Sequence, residues 1–152
     1  MPSERQTILV SSSAMTDTTT PDLRLDGLRV LIVDDEDAIV ELASLVVSEA
    51  GGEAFGAPDA DAAERILQAE HIDVVVSDLV MPGTTGREFL DRLFATWPGI
   101  PVVAMSGVPE QGSHAARRAN VRATLDKPFT TERLLAAVRL AATPTSEGTE
   151  PS

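Results

Sequence analysis

Short apolar runs alternate five times along the chain with stretches whose apolar residues recur at the spacing of one helix face. The runs are Arg29–Val33, Glu53–Gly56, Asp73–Ser77, Ile100–Met105 and Val121–Leu125. The helical stretches that follow them span residues 39–50, 59–69, 85–96, 110–119 and 130–141. Strands that alternate with helices of this length predict a parallel sheet covered by helices on both faces. Because five strands are too few for an eight-stranded barrel, we predict an open, doubly wound α/β sheet with five helices. For its strand order we expect 2-1-3-4-5, a common order of such sheets.

This alternation places one folded domain at residues 27–142. Residues 1–26 contain three consecutive serines and three consecutive threonines without sustained periodicity, and we predict a flexible N-terminal arm there. Whether the native chain starts at Met1 or at Met15 stays open. Residues 143–152 are rich in Pro, Ser, Thr and Glu and are predicted to form a disordered tail.

Composition removes several classes of function. The absence of cysteine excludes a disulfide scaffold, a thiolate zinc site and a cysteine nucleophile, and two isolated histidines do not favour a histidine metal site. No run of 18 or more apolar residues occurs, and the first 15 residues lack the apolar region of a signal peptide, so we expect a cytoplasmic protein that does not bind membranes. The net charge of -12 opposes binding to nucleic acid, and the cluster of Arg117, Arg118 and Arg122 is too small to reverse it.

Polar side chains follow four of the five predicted strands. In strand order they are Asp34-Asp35-Glu36, Asp78, Ser106 and Lys127, the only lysine of the chain. Singly, each has an ordinary explanation as a helix-start acid, a turn residue or a surface charge. Together they would lie along one rim of the sheet, where ligands of this fold bind. Carboxylates without His or Cys suit Mg²⁺, and an aspartate beside a cation, an ammonium group and a hydroxyl could accept a phosphoryl group.

Four motifs resemble the receiver domain of two-component response regulators, in order and spacing, over residues 28–142. They are Val33–Glu36, Asp78–Gly86, Met105–Gly107 and Leu125–Phe129. The resemblance implies a flavodoxin-like fold and no enzymatic activity beyond assistance of its own phosphorylation and dephosphorylation. It also implies two kinds of partner: a histidine kinase or phosphotransfer protein that donates the phosphoryl group, and a downstream protein target.

The same resemblance implies a set of acidic residues and a cofactor. Asp78 would be the phospho-acceptor. Asp35 and Asp78 would bind Mg²⁺ directly, together with the backbone carbonyl of Val80, and Asp34 would act through a water molecule.

Three further positions follow from the resemblance. Ser106 matches the switch hydroxyl of the family and Lys127 its phosphate-binding lysine, whose bond to Pro128 is usually cis. Thr124 stands where the family usually has Tyr or Phe, three residues before the lysine. Because a threonine has no ring to reorient, the usual coupling of phosphorylation to output is not expected here.

Several interpretations stay open beside a stand-alone receiver. The tail is too short to hold a DNA-binding output domain, so three roles stay open: a stand-alone regulator that acts through protein contacts, a phosphorelay shuttle, or the receiver segment of a hybrid histidine kinase. A pseudo-receiver that cannot be phosphorylated would usually lack one of the acidic or lysine positions, all of which are present. A Mg²⁺-dependent aspartyl phosphohydrolase would need an acid two residues after the nucleophile, where Val80 stands.

Overall fold

Five parallel strands form one sheet in a computed structural model that describes residues 23–80 and 85–143. The strands are β1 Arg29–Val33, β2 Glu53–Ala57, β3 Val74–Asp78, β4 Val102–Ser106 and β5 Val121–Asp126. The helices are α1 Asp37–Glu49, α2 Ala60–Ala69, α3 Gly86–Thr96, α4 Pro109–Ala115 and α5 Thr131–Ala142. The strand order is β2-β1-β3-β4-β5, and every neighbouring pair is parallel. The predicted doubly wound sheet with five helices is therefore confirmed.

Side chains on the two faces of the sheet form two apolar cores. On one face Val30 and Ile32 of β1 pack with residues of α1 and α5. On the other face Leu31 and Val33 pack with residues of α2 and α3 and with Ala115 of α4. Every residue of β3 and β4 is buried, as expected for parallel strands covered on both sides. The carboxyl ends of these central strands are consequently fixed within the sheet.

Three predicted helix starts are confirmed by their capping hydrogen bonds. The side chains of Asp59, Thr85 and Thr130 each accept a hydrogen bond from the backbone amide three residues further on. At Thr85 the Glu88 side chain returns a bond to the backbone amide of Thr85, which completes a capping box. These caps satisfy amide groups that a helix start leaves without an intrahelical partner.

The strands that lead to the predicted site end one residue later than their apolar runs suggest. β3 includes Asp78 and β4 includes Ser106, so both polar side chains stand on the last residue of a strand. β4 begins at Val102 rather than Ile100, because Pro101 has no amide to donate to the sheet.

The predicted end of the fourth helix is wrong. The helix ends at Ala115 instead of Ala119, and Arg117 and Arg118 continue the chain as turns whose amides bond to carbonyls three residues back. Asn120 does not cap this helix. Its side chain is buried, and Nδ2 donates to the carbonyl of Leu90 over 3.3 Å. A contact with a distant part of the chain thus holds Asn120 at the position where the local pattern predicts the end of a longer helix.

The packed region begins before residue 27. Leu25 is fully buried in the core on the α1–α5 side, and its amide donates to the carbonyl of Ala50 over 2.8 Å. The rest of the predicted arm (residues 1–22) and residues 144–152 of the predicted tail lie outside the described residues. Within residues 23–80 and 85–143, no helix is long and apolar enough to cross a membrane.

Gly86 begins α3 against the backbone that follows β3. A Cβ atom on Gly86 would lie 2.4 Å from the carbonyl oxygen of Leu79, which belongs to the main chain and cannot rotate away. We expect Gly86→Ala to lower the free energy of unfolding by about 1–3 kcal/mol, the usual cost of overpacking, in urea unfolding experiments. Gly99→Ala is the matched control, because nothing lies within 4 Å of a Cβ at that position. Equal losses in the two variants would contradict this expectation.

Candidate functional site

Three aspartates converge at the carboxyl ends of β1 and β3. Asp34 and Asp35 directly follow β1, and Asp78 is the last residue of β3. One carboxylate oxygen of each lies within 4.8 Å of the others. Asp34 and Asp78 are buried, whereas Asp35 is exposed to solvent. Carboxylates this close repel one another unless a proton or a cation intervenes.

Lys127 supplies a cation at the centre of this group. Its Nζ lies 2.7 Å from Oδ2 of Asp34 and 3.4 Å from Oδ2 of Asp78. The lysine side chain is only 18% exposed, and that of Asp34 is fully buried. Lys127 follows β5, and its backbone amide donates to the carbonyl of Ser106 over 2.8 Å, which attaches this segment to the end of β4. The bond between Lys127 and Pro128 is cis, as the sequence resemblance implies.

Burial and the charges of this cluster shift the pKa of Asp78 and the pKa of Lys127. Burial raises the pKa of Asp78 and the charge of Asp34 raises it further, while Lys127 and the Val80 amide oppose the shift. For Lys127, burial alone would lower the pKa, but the hydrogen bond from Lys127 to Asp34 and the charges of both aspartates raise it above its usual value. Lys127 is therefore an ammonium group at neutral pH. Asp78 holds a proton more tightly than an aspartate in water.

Backbone amides orient the two buried carboxylates. Oδ1 of Asp34 accepts from the amide of Glu36 over 2.9 Å, and Oδ1 of Asp78 accepts from the amide of Val80 over 3.3 Å. Each carboxylate therefore bonds to an amide two residues ahead through one oxygen and faces Lys127 through the other. The contact seen for Val80 involves its amide, and metal binding by its carbonyl stays a prediction.

Ser106 and Thr124 are the two remaining predicted positions, and their side chains do not contact the carboxylates or the ammonium of Lys127 in the hydrogen bonds and ion pairs described for them. Ser106 is buried at the end of β4, and its hydroxyl both donates to the carbonyl of Val108 and accepts from the Val108 amide over 3.1 Å. This hydroxyl is thus occupied within its own turn. Thr124 is an exposed residue within β5 and lines a groove between α4, β5 and α5. It does not belong to the carboxylate cluster.

Glu36, which lies on the predicted rim without a predicted role, also contacts Lys127. Its Oε1 lies 3.8 Å from Nζ of Lys127, although the glutamate side chain is 65% exposed. The run of three acids after β1 was the available signal. Lys127 consequently faces three carboxylates, those of Asp34, Glu36 and Asp78, and the local charge is negative.

The donor set agrees with a hard divalent cation. Asp34, Asp35 and Asp78 offer oxygen ligands only, and the cluster contains no nitrogen or sulfur ligand. Mg²⁺ prefers this kind of site and is usually bound by one or two carboxylates while it keeps several waters. Within the residues that the structure describes, no other group of three or more metal-ligating side chains is this close.

The fold, with an acidic rim and a lysine at the carboxyl ends of a five-stranded parallel sheet, defines a class of signalling domain. A sequence model of the response regulator receiver domain matches residues 30–139. The chain belongs to the response regulator receiver domain family of two-component systems, and the resemblance drawn from the four motifs is confirmed.

Several proteins with similar sequences are much longer than this chain. The chain is 37% identical over 94 residues to protein-glutamate methylesterase/protein-glutamine glutaminase 2 of Burkholderia thailandensis, covering 60% of this chain and 26% of that protein. It is 33% identical over 85 residues to the probable transcriptional regulatory protein TcrX of Mycobacterium tuberculosis, covering 55% and 36%. The chain therefore spans only about a quarter to a third of the length of these relatives.

Solved structures of receiver domains superpose on this fold. A response regulator receiver domain protein from Clostridium thermocellum gives a TM-score of 0.69 at 25% identity, covering 76% of this chain and 94% of that one. The chemotaxis response regulator CheY4 of Vibrio cholerae gives a TM-score of 0.66 at 28% identity, covering 74% and 96%. NtrX from Brucella abortus, solved in complex with ADP, gives 0.71 at 30% identity, but this chain covers only 26% of it.

Proposed function

We propose that this receiver accepts a phosphoryl group on Asp78 from a phosphohistidine of a histidine kinase or phosphotransfer protein, in the presence of Mg²⁺. The observation that carries the proposal is the close approach of three aspartates and one lysine, since one oxygen of each aspartate lies within 4.8 Å of the others and Nζ of Lys127 lies 3.4 Å from Asp78. Phosphoryl transfer depends mainly on positioning and on neutralisation of charge. This cluster provides a nucleophile in Asp78, and it provides charged groups that can position a phosphoryl group and neutralise its charge.

The metal would be held by Asp35 and Asp78 together with the backbone carbonyl of Val80, while Asp34 would act through a water. When bound, Mg²⁺ neutralises the excess negative charge of the carboxylates and of the incoming phosphoryl oxygens. The exposed position of Asp35 leaves this side of the cluster open to solvent, and hence to a hydrated ion.

In the proposed transfer, a carboxylate oxygen of Asp78 forms a bond to phosphorus as the bond between phosphorus and the donor imidazole nitrogen breaks. The imidazole keeps the electron pair and takes up a proton from solvent. Lys127 is close enough to Asp78 to place its ammonium against a phosphoryl oxygen, which requires it to loosen its contacts with the aspartates. Ser106 would donate to another phosphoryl oxygen and would first have to release the carbonyl of Val108.

This release suggests how phosphorylation alters a protein-binding surface. The turn at residues 106–108 leads directly into α4, so a change in the Ser106 bonds alters the start of that helix. Thr124 has no aromatic ring to transmit the change along β5. The downstream target is therefore expected to respond to the turn and α4. In a hybrid kinase or another longer protein, the same chemistry would act on a neighbouring domain.

Intact-protein mass after incubation with a small acyl phosphate tests the proposal. We expect the unmodified protein to gain one phosphoryl group when Mg²⁺ is present and none when Mg²⁺ is chelated. Asp78→Asn should gain none, because the nucleophilic carboxylate is lost. The matched control is Asp126→Asn, which removes an exposed carboxylate at the end of β5 on the same rim and should leave phosphorylation unchanged. A protein that binds Mg²⁺ in calorimetry but gains no mass would refute the proposal.

A further inference from the structure

Charge is divided unequally between two parts of the molecule. Residues 23–80 and 85–106 contain sixteen acidic and five basic residues, whereas residues 107–143 contain three acidic and six basic residues. Lys127 belongs to the carboxylate cluster, and without it residues 107–143 still contain five basic and three acidic residues. The region formed by α4, β5 and α5 is therefore modestly positive on a strongly negative domain. A surface of this kind attracts an acidic ligand and gains little from another basic one.

A groove runs along this positive region. It has a volume of about 550 Å³, and its walls come from the end of α4, from β5 and from α5. Small and apolar side chains such as Thr124, Ala136 and Leu140 line it, and Leu140 is 63% exposed although it is a large apolar residue. Arg122 and Arg133 bring two positive charges to the lining, against the single carboxylate of Asp126.

The chain itself continues from one end of this groove. Residues 131–142 form α5, whose face with Arg133, Ala136, Ala137 and Leu140 is one wall of the groove. Thr143 then leaves the helix in an extended conformation, with φ -74° and ψ 127°. The nine residues that follow contain two acids, Glu147 and Glu150, and no basic residue.

We propose that the C-terminal segment 144–152 docks in this groove of its own chain, with Glu147 and Glu150 facing Arg122 and Arg133. The segment is long enough, since nine extended residues span up to about 30 Å, whereas the helix from Leu140 back to Arg133 covers only about 10 Å. Contacts between exposed charges are individually weak. A short tether nevertheless gives an effective concentration on the order of millimolar, which favours a weak intramolecular contact.

A second copy of the chain is a poorer occupant than the tethered segment. Each copy carries a net charge of -12, so two copies repel at low ionic strength. Docking of the segment covers the face that carries Thr124, and any partner that uses this face must displace it. The inference does not depend on phosphorylation of Asp78.

Paramagnetic relaxation in NMR spectra of the full chain tests the docking. The chain has no cysteine, so Ser152→Cys provides one attachment site for a nitroxide label. In the docked state the label should reduce the intensity of amide signals from Thr124 and Ala136. Signals from α2, on the opposite side of the sheet, should keep their intensity.

Charge reversal separates a specific contact from mere tethering. Glu147→Lys with Glu150→Lys should restore the Thr124 and Ala136 signals. Arg122→Glu with Arg133→Glu should do the same, and combining both pairs should bring the loss of intensity back.

Reversing Arg65 and Arg87, two exposed arginines outside the groove, should leave the intensity loss unchanged. An equal effect of the label in all variants, or no effect at Thr124 in the unreversed chain, would overturn the inference. So would a loss of intensity in an isotope-labelled chain mixed with a spin-labelled one, because the segment would then bind a second copy.

Discussion

Replacing Asp78 with asparagine is expected to stabilise the protein in the absence of Mg²⁺, although it removes the proposed phospho-acceptor. The Asp78 carboxylate is 9% exposed, and it lies beside the fully buried Asp34. Burial and the charge of Asp34 raise the pKa of Asp78, so the folded protein is destabilised by ionisation of this group. An asparagine keeps the shape and removes the charge. A gain of about 1 kcal/mol would raise the unfolding midpoint by roughly 4 °C in a domain of this size.

The pH dependence of stability follows from the same shift. Because the pKa of Asp78 is higher in the folded than in the unfolded state, the folded protein binds more protons between the two values. The contribution of Asp78 to stability therefore falls as pH rises through this window and stays unfavourable above it. We expect this decline in metal-free protein and expect it to disappear in Asp78→Asn, measured by urea unfolding at a series of pH values.

Mg²⁺ should reverse the order of stability of the two proteins. An ion that binds only the folded state contributes about 2.7 kcal/mol at a concentration of 100 times its Kd. The unmodified protein should gain this stabilisation, while Asp78→Asn, which lacks one proposed ligand, should gain much less. Asp126→Asn is the control and should respond to Mg²⁺ like the unmodified protein. An equal gain in Asp78→Asn would contradict the assignment of Asp78 as a metal ligand.

The sequence predicts most of the fold because several local signals agree. Apolar runs, caps at Asp59, Thr85 and Thr130, and the alternation of strands and helices all favour one sheet of parallel strands. The signal failed where a distant contact competes with local pattern. Asn120, where the local pattern ends the helix, is instead held by a bond from its buried amide to Leu90, thirty residues earlier, and no helical periodicity reveals that contact.

For the candidate site, the positions of the residues could be predicted from the sequence, but the contacts of some side chains could not. Strand ends place Asp34, Asp78 and Lys127 on one rim, and their approach could be predicted because parallel strands end at the same edge. The direction in which a side chain points could not be predicted from the sequence. Ser106 lies at the predicted position, but its hydroxyl bonds to Val108, and this choice of rotamer depends on the geometry of the following turn. The contact of Glu36 with Lys127 likewise depends on how the chain turns into α1.

Lys127→Met is expected to destabilise the metal-free protein by about 3 kcal/mol, because removal of one partner from a buried ion pair leaves an uncompensated charge. Methionine keeps an unbranched apolar side chain of similar length, so the change removes the ammonium without opening a large cavity. Nζ of Lys127 lies 2.7 Å from the fully buried carboxylate of Asp34 and 3.4 Å from that of Asp78. The raised pKa of Lys127 means that its contribution is present at every pH below the ordinary lysine pKa and is lost only as pH rises through the higher value.

Two further variants connect this loss to charge. Arg122→Met removes an exposed cation from β5, the strand that precedes Lys127, and should change stability by no more than about 0.5 kcal/mol, as surface substitutions usually do. The double variant Lys127→Met with Asp78→Asn should recover part of the loss, because fewer carboxylates then need a counter-charge. Urea unfolding of the unmodified protein, Lys127→Met, Asp78→Asn and the double variant gives the coupling energy between positions 78 and 127 directly. Additive effects of the two substitutions would mean that Lys127 stabilises the fold without interacting with Asp78, and the place of its ammonium opposite Asp78 would be overturned.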